Sequence, residues 1–229
     1  MIFVCVMVIL AAMFMALGTW QVQRLFWKNA LIERVDARVH AVATPAPPEQ
    51  GWTALKAEND EYRRVVIEGR FRHDAETLVQ AVTDLGAGFW VVTPLETADG
   101  TTVLINRGFV ATDQRDPGTR AAGEIQGNAK VTGLLRMTEP GGAFLRSNDP
   151  QQERWYSRDV AAIAAAKGLG TTAPYFIDAD ATANPGGFPV GGLTVIRFRN
   201  SHLVYALTWY GLALMTSAAT IALRRRRLI

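Results

Sequence analysis

Hydrophobic residues form two long blocks at the ends of the chain, with a mixed polar and apolar region between them. Residues 1–23 and 203–223 carry no charged side chain, whereas all 21 acidic residues lie between Glu33 and Asp180. At a rise of about 1.5 Å per residue, each block forms a helix of roughly 30 to 35 Å, which matches a hydrocarbon core of about 30 Å. The pattern predicts two transmembrane helices, at residues 1–23 and 200–223, around a water-exposed middle.

The first block has the character of a retained anchor rather than of a cleaved signal peptide. It lacks a basic start and exceeds the usual apolar length of about 7 to 15 residues. Beyond the block, apolar residues recur every four positions up to Val39, and prolines follow from Pro45. Residues 24–48 are therefore predicted to form an amphipathic helical extension and a proline-rich linker.

The region from 49 to 199 changes to the alternating pattern that is typical of β-strands. The predicted strands are residues 62–71, 77–82, 88–95, 101–110, 129–137, 174–178 and 192–198. Asp99-Gly100 predicts a β-hairpin turn, and Asp159 is the expected N-cap of one short helix at 160–167. The prediction is an α+β membrane protein, with two transmembrane helices flanking a mainly antiparallel β domain that is sheet-like or barrel-like.

Charge determines the expected orientation. The formal net charge is +3, but four of the 24 basic residues form the run 224–227, and the other 20 are balanced by the 21 acidic residues. Without a basic surface, nucleic acid is not an expected partner, whereas membrane lipid is. Because basic residues beside a span favour the cytoplasm, the tail 224–229 and the N-terminus are both expected there, with the central domain extracytoplasmic.

Catalytic motifs are absent from the sequence. Cys5 is the single cysteine, so no intramolecular disulfide forms, and the three histidines lack the spacing of a zinc site. Neither a glycine-rich phosphate loop nor a Gly-x-Ser-x-Gly elbow occurs. We therefore do not expect an enzyme.

Aromatic and basic residues cluster where the two predicted spans meet the central domain. They share one face on each helix, with arginines near the water boundary: Trp20, Arg24 and Trp27 on the first helix; His202, Tyr205 and Trp209 on the second; and Arg199 before it. Small residues at Ala12, Ala16, Ala213 and Ser217 would allow the two helices to pack. One interpretation is an ordinary interfacial belt. The other is a porphyrin site, with a histidine on the iron, aromatic rings over the macrocycle and arginines at the propionates.

Three separated motifs resemble those of the surfeit locus protein 1 family. They are residues 17–24 (LGTWQVQR), the pair 88–95 (GFWVVTPL) and 103–110 (VLINRGFV), and the pair 200–203 (NSHL) and 208–212 (TWYGL). The sequence departs from the family pattern at Phe109, Ala111 and Ser201, where the family usually has Trp, Pro and Asn. The order and the end-to-end spread of the motifs make the resemblance specific.

The resemblance implies a non-enzymatic assembly factor for cytochrome c oxidase, a haem-copper terminal oxidase. Such a factor would bind haem a transiently or relay it to oxidase subunit I, with His202 as the iron ligand and haem a synthase as a second expected partner. The implied location is the bacterial plasma (inner) membrane, or equivalently the mitochondrial inner membrane. The alternative is a scaffold that stabilises a subunit I intermediate without holding haem.

The central motif contains Asn106-Arg107-Gly108. An arginine beside a glycine at a strand end is expected to pair with a carboxylate or to hydrogen-bond a neighbouring loop. The alternative is that Arg107 contacts a binding partner directly.

Overall fold

A computed structural model describes residues 2–143, 145–196 and 198–225 of the chain. The chain divides into two compact units. One unit, Ala37–Val195, holds the β-strands, and the other consists of the two ends of the chain.

The two ends form long apolar helices. Helix α1, Ile2–Val39, is continuous over 38 residues and therefore runs beyond the first predicted span. Helix α4, His202–Arg225, has 24 residues. Their most apolar windows have mean hydropathies of 2.6 and 1.4, so both helices are long and apolar enough to cross a membrane. Residues 226–229 of the predicted basic tail lie outside the described residues.

Seven strands form one mainly antiparallel sheet. Their bounds are β1 Thr44–Pro45, β2 Arg64–Phe71, β3 Thr77–Thr83, β4 Gly86–Glu96, β5 Thr102–Ala111, β6 Asn128–Met137 and β7 Thr172–Ala179. The order is β1-β2-β6-β7-β5-β4-β3, and β2 also pairs with β4 through Arg70–Glu96 and Phe71–Leu95. This extra pairing closes β2, β6, β7, β5 and β4 into a five-stranded barrel. The pairs β1–β2 and β5–β7 are parallel.

The barrel is filled by residues that alternate along its strands. Val103 and Ile105 of β5 and Tyr175 and Ile177 of β7 belong to one buried cluster, to which all five barrel strands contribute. The residues between them, Leu104 and Phe176, belong to a second buried cluster that also contains Val160 and Ile163. Since neighbouring strand residues point to opposite faces, the first cluster is the interior of the barrel and the second lies outside its wall.

Two short helices belong to the β domain. Helix α2, Ala57–Asp60, is a single turn, and helix α3, Val160–Ala166, covers the outer cluster through Val160 and Ile163. The side chain of Asp159 accepts a hydrogen bond from the backbone N–H of Ala162 at 3.1 Å, which confirms the predicted N-cap.

The predicted closing strand at 192–198 is wrong. The described residues of this segment, 192–196 and 198, are irregular. Gly192 has φ of 75°, in the left-handed region, which interrupts an extended chain. In addition, each strand of the barrel ring is already paired on both sides, and the described residues of the segment do not pair with the edge strands β1 and β3.

A buried carboxylate links the strands across the barrel wall. Asp178 is 2% exposed and accepts hydrogen bonds from Asn106 at 2.7 Å, Arg136 at 2.7 Å, Arg158 at 2.9 Å and Thr194 at 3.0 Å. Burial alone would lower the pKa of Arg136, but Asp178 and Glu61 outweigh it and raise the pKa. Each charge therefore depends on its partners, as buried ion pairs do.

Candidate functional site

Helices α1 and α4 pack along a seam with a repeat of seven residues. The buried residues of α4 are Ala206, Ala213 and Thr220, and α1 contributes Gly18 and Gln21. A repeat close to 3.5 residues keeps one face of each helix toward the other, as in coiled coils. Small and polar side chains on this seam allow close approach of the helices.

The predicted small-residue contact is only partly correct. Ala213 is buried, but Ala12, Ala16 and Ser217 are exposed. The close approach instead occurs at Gly18, where an added Cβ would lie 2.7 Å from ring carbons of Tyr210. Ala12 and Ala16 each lie two residues from Phe14, which is about 200° around the helix, so they are on the side of α1 that faces away from the seam.

Aromatic contacts hold the same part of the seam. Trp209 stacks on Phe14 with ring centroids 5.7 Å apart. The hydroxyls of Tyr210 and Thr19 are within hydrogen-bond distance at 3.2 Å. Together these contacts fix the register of the two helices along their axes.

His202 begins α4 and faces α1. Its side chain is half-buried, and its Nδ1 lies 2.7 Å from Oε1 of Gln21, which is 8% exposed. An amide oxygen only accepts hydrogen bonds, so Nδ1 of His202 donates and carries the proton. In the neutral ring the lone pair then belongs to Nε2.

The other predicted site residues divide into two groups. Trp209 lies in the seam with His202, whereas Trp20 and Trp27 are each 51% exposed and Tyr205 is 54% exposed. Arg24 lies over the ring of Trp27, with Cζ 4.6 Å from its centroid, and Arg199 is exposed.

The exposed aromatic residues nevertheless lie on one side of the helix pair. At about 100° per residue, Trp20 and Arg24 are on one flank of the α1 contact face, and Tyr205 is on the adjoining flank of α4. Gly18 and Tyr210 meet on the opposite flank, and this contact shows which flank of α4 adjoins which flank of α1. The Gln21–His202 and Phe14–Trp209 contacts set the register of the two helices. In this register Trp20 and Tyr205 are separated by about 3 Å along the helix axes.

This flank has the chemistry of a ligand site with a single nitrogen donor. Nowhere in the described ranges do three or more His, Cys, Asp or Glu side chains form a metal-binding group. A haem iron, in contrast, is held by one or two axial ligands while its porphyrin supplies the rest. A single histidine donor is compatible with a haem, because the porphyrin supplies the other iron ligands.

Gln21 is the residue that the sequence analysis missed. It lies in the first motif, but its place on the seam depends on the pairing with α4. The seven-residue repeat through Phe14, Gln21 and Lys28 was the available signal, because it puts a polar amide on the same stripe as apolar seam residues.

The central motif serves the barrel wall and its loops. Asn106 donates to Asp178 and its Oδ1 accepts from the backbone N–H of Gly108 at 3.2 Å. Nη2 of Arg107 donates to the carbonyl oxygen of Gly123 and, at 3.2 Å, to Oδ1 of Asn184. Of the predicted alternatives for Arg107, the hydrogen bond to a neighbouring loop is the contact observed.

The architecture defines a class of protein in which a β-barrel domain is inserted between two apolar helices. The model of the SURF1 family matches residues 8–214. Surfeit locus protein 1 of Rattus norvegicus is 40% identical over 88% of this chain and 69% of its own length, and the Homo sapiens protein is 38% identical over 88% and 70%. A SURF1-like protein of Monosiga brevicollis is 39% identical over 92% and 83%. The chain belongs to the SURF1 family.

Proposed function

We propose that the protein is a non-enzymatic assembly factor for cytochrome c oxidase that holds haem a as cargo and relays it to oxidase subunit I. The observation that carries this proposal is the hydrogen bond between His202 and Gln21 at 2.7 Å. With Nδ1 donating to Gln21, the lone pair of the neutral ring lies on Nε2, at the end of an apolar helix.

The ligand chemistry supports a haem at His202. Histidines that ligate metals commonly donate the other ring N–H to an oxygen acceptor, which fixes the tautomer and the ring orientation. Gln21 supplies this acceptor from the facing helix. The bond therefore orients the ring so that Nε2 is the nitrogen that would bind iron.

The neighbouring side chains suit the rest of the macrocycle. Exposed aromatic faces at Trp20, Trp27 and Tyr205 supply apolar area for the ring. Arg24 and the exposed Arg199 are the cations for the propionates. An exposed flank also suits a cargo site, because the haem must leave for subunit I.

The proposed location is the bacterial plasma membrane, with both termini cytoplasmic and the β domain extracytoplasmic. Arg224 and Arg225 end α4, and basic residues at this position favour the cytoplasmic side. Oxidase subunit I and haem a synthase are the proposed partners, since one receives and the other makes haem a.

Co-purification tests the proposal against the scaffold alternative. The full chain is produced in a membrane with haem a synthase and, separately, without it, and the haem a content per purified chain is measured. We expect haem a only in the first preparation and in a fixed ratio to protein. If subunit I co-purifies while haem a is absent from both preparations, the protein is a scaffold and the haem proposal fails.

A further inference from the structure

Arg107 occupies an inward position at one end of the barrel. It follows Val103 and Ile105 at alternate positions on β5, and its guanidinium lies over the ring of Phe71 with Cζ 4.9 Å from the centroid. A bulge follows: the register of β4 and β5 shifts between Trp90 and Val92. Gly108 there has φ of 134°, and an added Cβ would lie 2.2 Å from the carbonyl oxygen of Val190.

The charge of Arg107 is only partly compensated inside the protein, by the more distant Glu76 and Glu124. The residue is 2% exposed, and no described carboxylate forms an ion pair with it. The neighbouring Glu76 pairs instead with Arg120, at 2.5 Å. Burial lowers the pKa of Arg107 to about 10, so the guanidinium is still charged at neutral pH. An unpaired buried charge is costly, and proteins seldom retain one without a partner.

The hydrogen-bonding capacity of Arg107 is also only partly used. Nη2 donates to the Gly123 carbonyl and to Asn184 Oδ1, whereas Nε and Nη1 have no partner among the described residues. In a guanidinium, Nη2 forms a two-pronged donor with either Nε or Nη1. An acceptor that replaced Asn184 on Nη2 would therefore engage an unused N–H at the same time.

A cavity of about 190 Å³ opens beside Arg107. Its walls combine inward apolar residues with polar residues of the 179–184 loop, among them Phe71, Ile105, Ile125, Thr132, Thr182 and Asn184. Mouths of β-barrels are common positions for ligand sites. The cavity thus joins a largely apolar wall to one unsatisfied cation.

Two other charged residues line the cavity, and both have partners elsewhere. Lys130 pairs with Glu68 at 3.1 Å. Asp180 lies 3.8 Å from Nη2 of Arg64 and accepts from the backbone and hydroxyl of Thr182, at 3.0 and 2.6 Å. Arg107 is thus the lining charge without a counter-ion among the described residues.

We propose that this barrel mouth binds a carboxylate group, either of a small organic acid or of a peptide C-terminus, with Arg107 as the two-pronged donor and Phe71 and Ile105 as the apolar wall. A planar carboxylate matches the guanidinium fork, and its charge neutralises Arg107. The site is separate from the haem proposal and does not depend on it.

Nitrogen NMR of the full chain in detergent tests the site directly. Arginine labelled at Nε gives one resonance per side chain, and Arg107→Lys identifies that of Arg107. Propionate is added, with propionamide as the neutral match and sodium chloride at equal ionic strength as the screening control. We expect a saturable shift of the Arg107 resonance with propionate alone, and no shift of Arg120, whose fork already holds Glu76. An unmoved Arg107 resonance, or an equal shift with chloride, would overturn the proposal.

Two further experiments identify the source of the carboxylate and test the site without assigned NMR resonances. N-acetylglycylglycine is compared with its C-terminal amide, and tighter binding of the acid than of propionate assigns the site to a peptide end.

Asn184→Asp puts a carboxylate on the position now 3.2 Å from Arg107 Nη2. We expect propionate to raise the Tm of the wild type and to leave the Tm of this variant unchanged. An equal increase in both proteins contradicts a site at Arg107.

Discussion

His202 Nδ1 lies 2.7 Å from Gln21 Oε1, although the two residues are 181 positions apart in the sequence. The bond joins the first residue of α4 to the seam of α1, and Gln21 is buried there. In an apolar environment an unsatisfied amide or imidazole N–H is costly, so each group requires the other. The pair therefore fixes the position, the orientation and the tautomer of the histidine together.

Gln21→Leu should weaken haem binding by about 10- to 100-fold, because the acceptor that orients a metal-ligating histidine is lost. Gln21→Glu keeps an acceptor and should retain most of the binding. Histidine nitrogen NMR of the haem-free protein provides the structural readout, and it should show His202 as a mixture of tautomers in the leucine variant. Gln23→Leu, at an exposed position two residues along, is the matched control. Unchanged tautomer and affinity in Gln21→Leu would show that the bond has no positioning role.

Gly18→Ala should separate the helices where Tyr210 covers the glycine. The new Cβ would lie 2.7 Å from two ring carbons, and overpacking of this kind costs about 1 to 3 kcal/mol. Gly211→Ala is the control, since nothing lies within 4 Å of its added Cβ. We expect a lower Tm and weaker haem binding for Gly18→Ala only. Equal Tm values for the two variants would contradict the observed seam.

Asp178→Asn should destabilise the β domain by about 3 to 5 kcal/mol, because it leaves Arg136 and Arg158 buried without their shared carboxylate. Asp74→Asn removes one partner of the exposed Arg72 pair and should cost about 0 to 1 kcal/mol. Urea unfolding followed by tryptophan fluorescence measures both. A loss for Asp178→Asn no larger than that for Asp74→Asn would mean that the network contributes little to stability.

The orientation prediction rests on the arginines at residues 224–227. A reporter that is active only after export, fused after Ile229, should be silent, and the same reporter inserted in the β domain should be active. Replacing the four arginines with glutamate should disturb insertion of the second span. An active reporter at the C-terminus would reverse the topology.

Local signals predicted most of the fold. The Asp99-Gly100 turn does connect β4 to β5, with Gly100 at φ of 81°, and the side chain of Asp159 does cap α3. Both features depend on residues close together in the chain. The alternating pattern likewise found β2 to β7, but it also predicted a strand at 192–198, because alternation alone does not reveal which segments find a pairing partner.

The candidate site was harder to predict because it depends on the pairing of two distant helices. Trp20, Arg24 and Trp27 share one face of α1 by their spacing, yet the seam lies beside that face, at Gly18 and Gln21. His202 was identified without its partner. Only the register of α4 against α1 shows that Gln21 is the side chain that meets it.

The absorption spectrum of the His202→Ala variant tests the central claim most directly. The wild type and the variant are each produced with haem a synthase and purified from the membrane, and the spectra are compared at equal protein. Alanine is a good helix former, so the helix and the amount of protein should be preserved. We predict haem a bound to the wild type, haem lost or much reduced in His202→Ala, and partial recovery when imidazole is added as a free ligand. Haem a retained in the variant at the wild-type level and with an unchanged spectrum would contradict the assignment of His202 as the iron ligand.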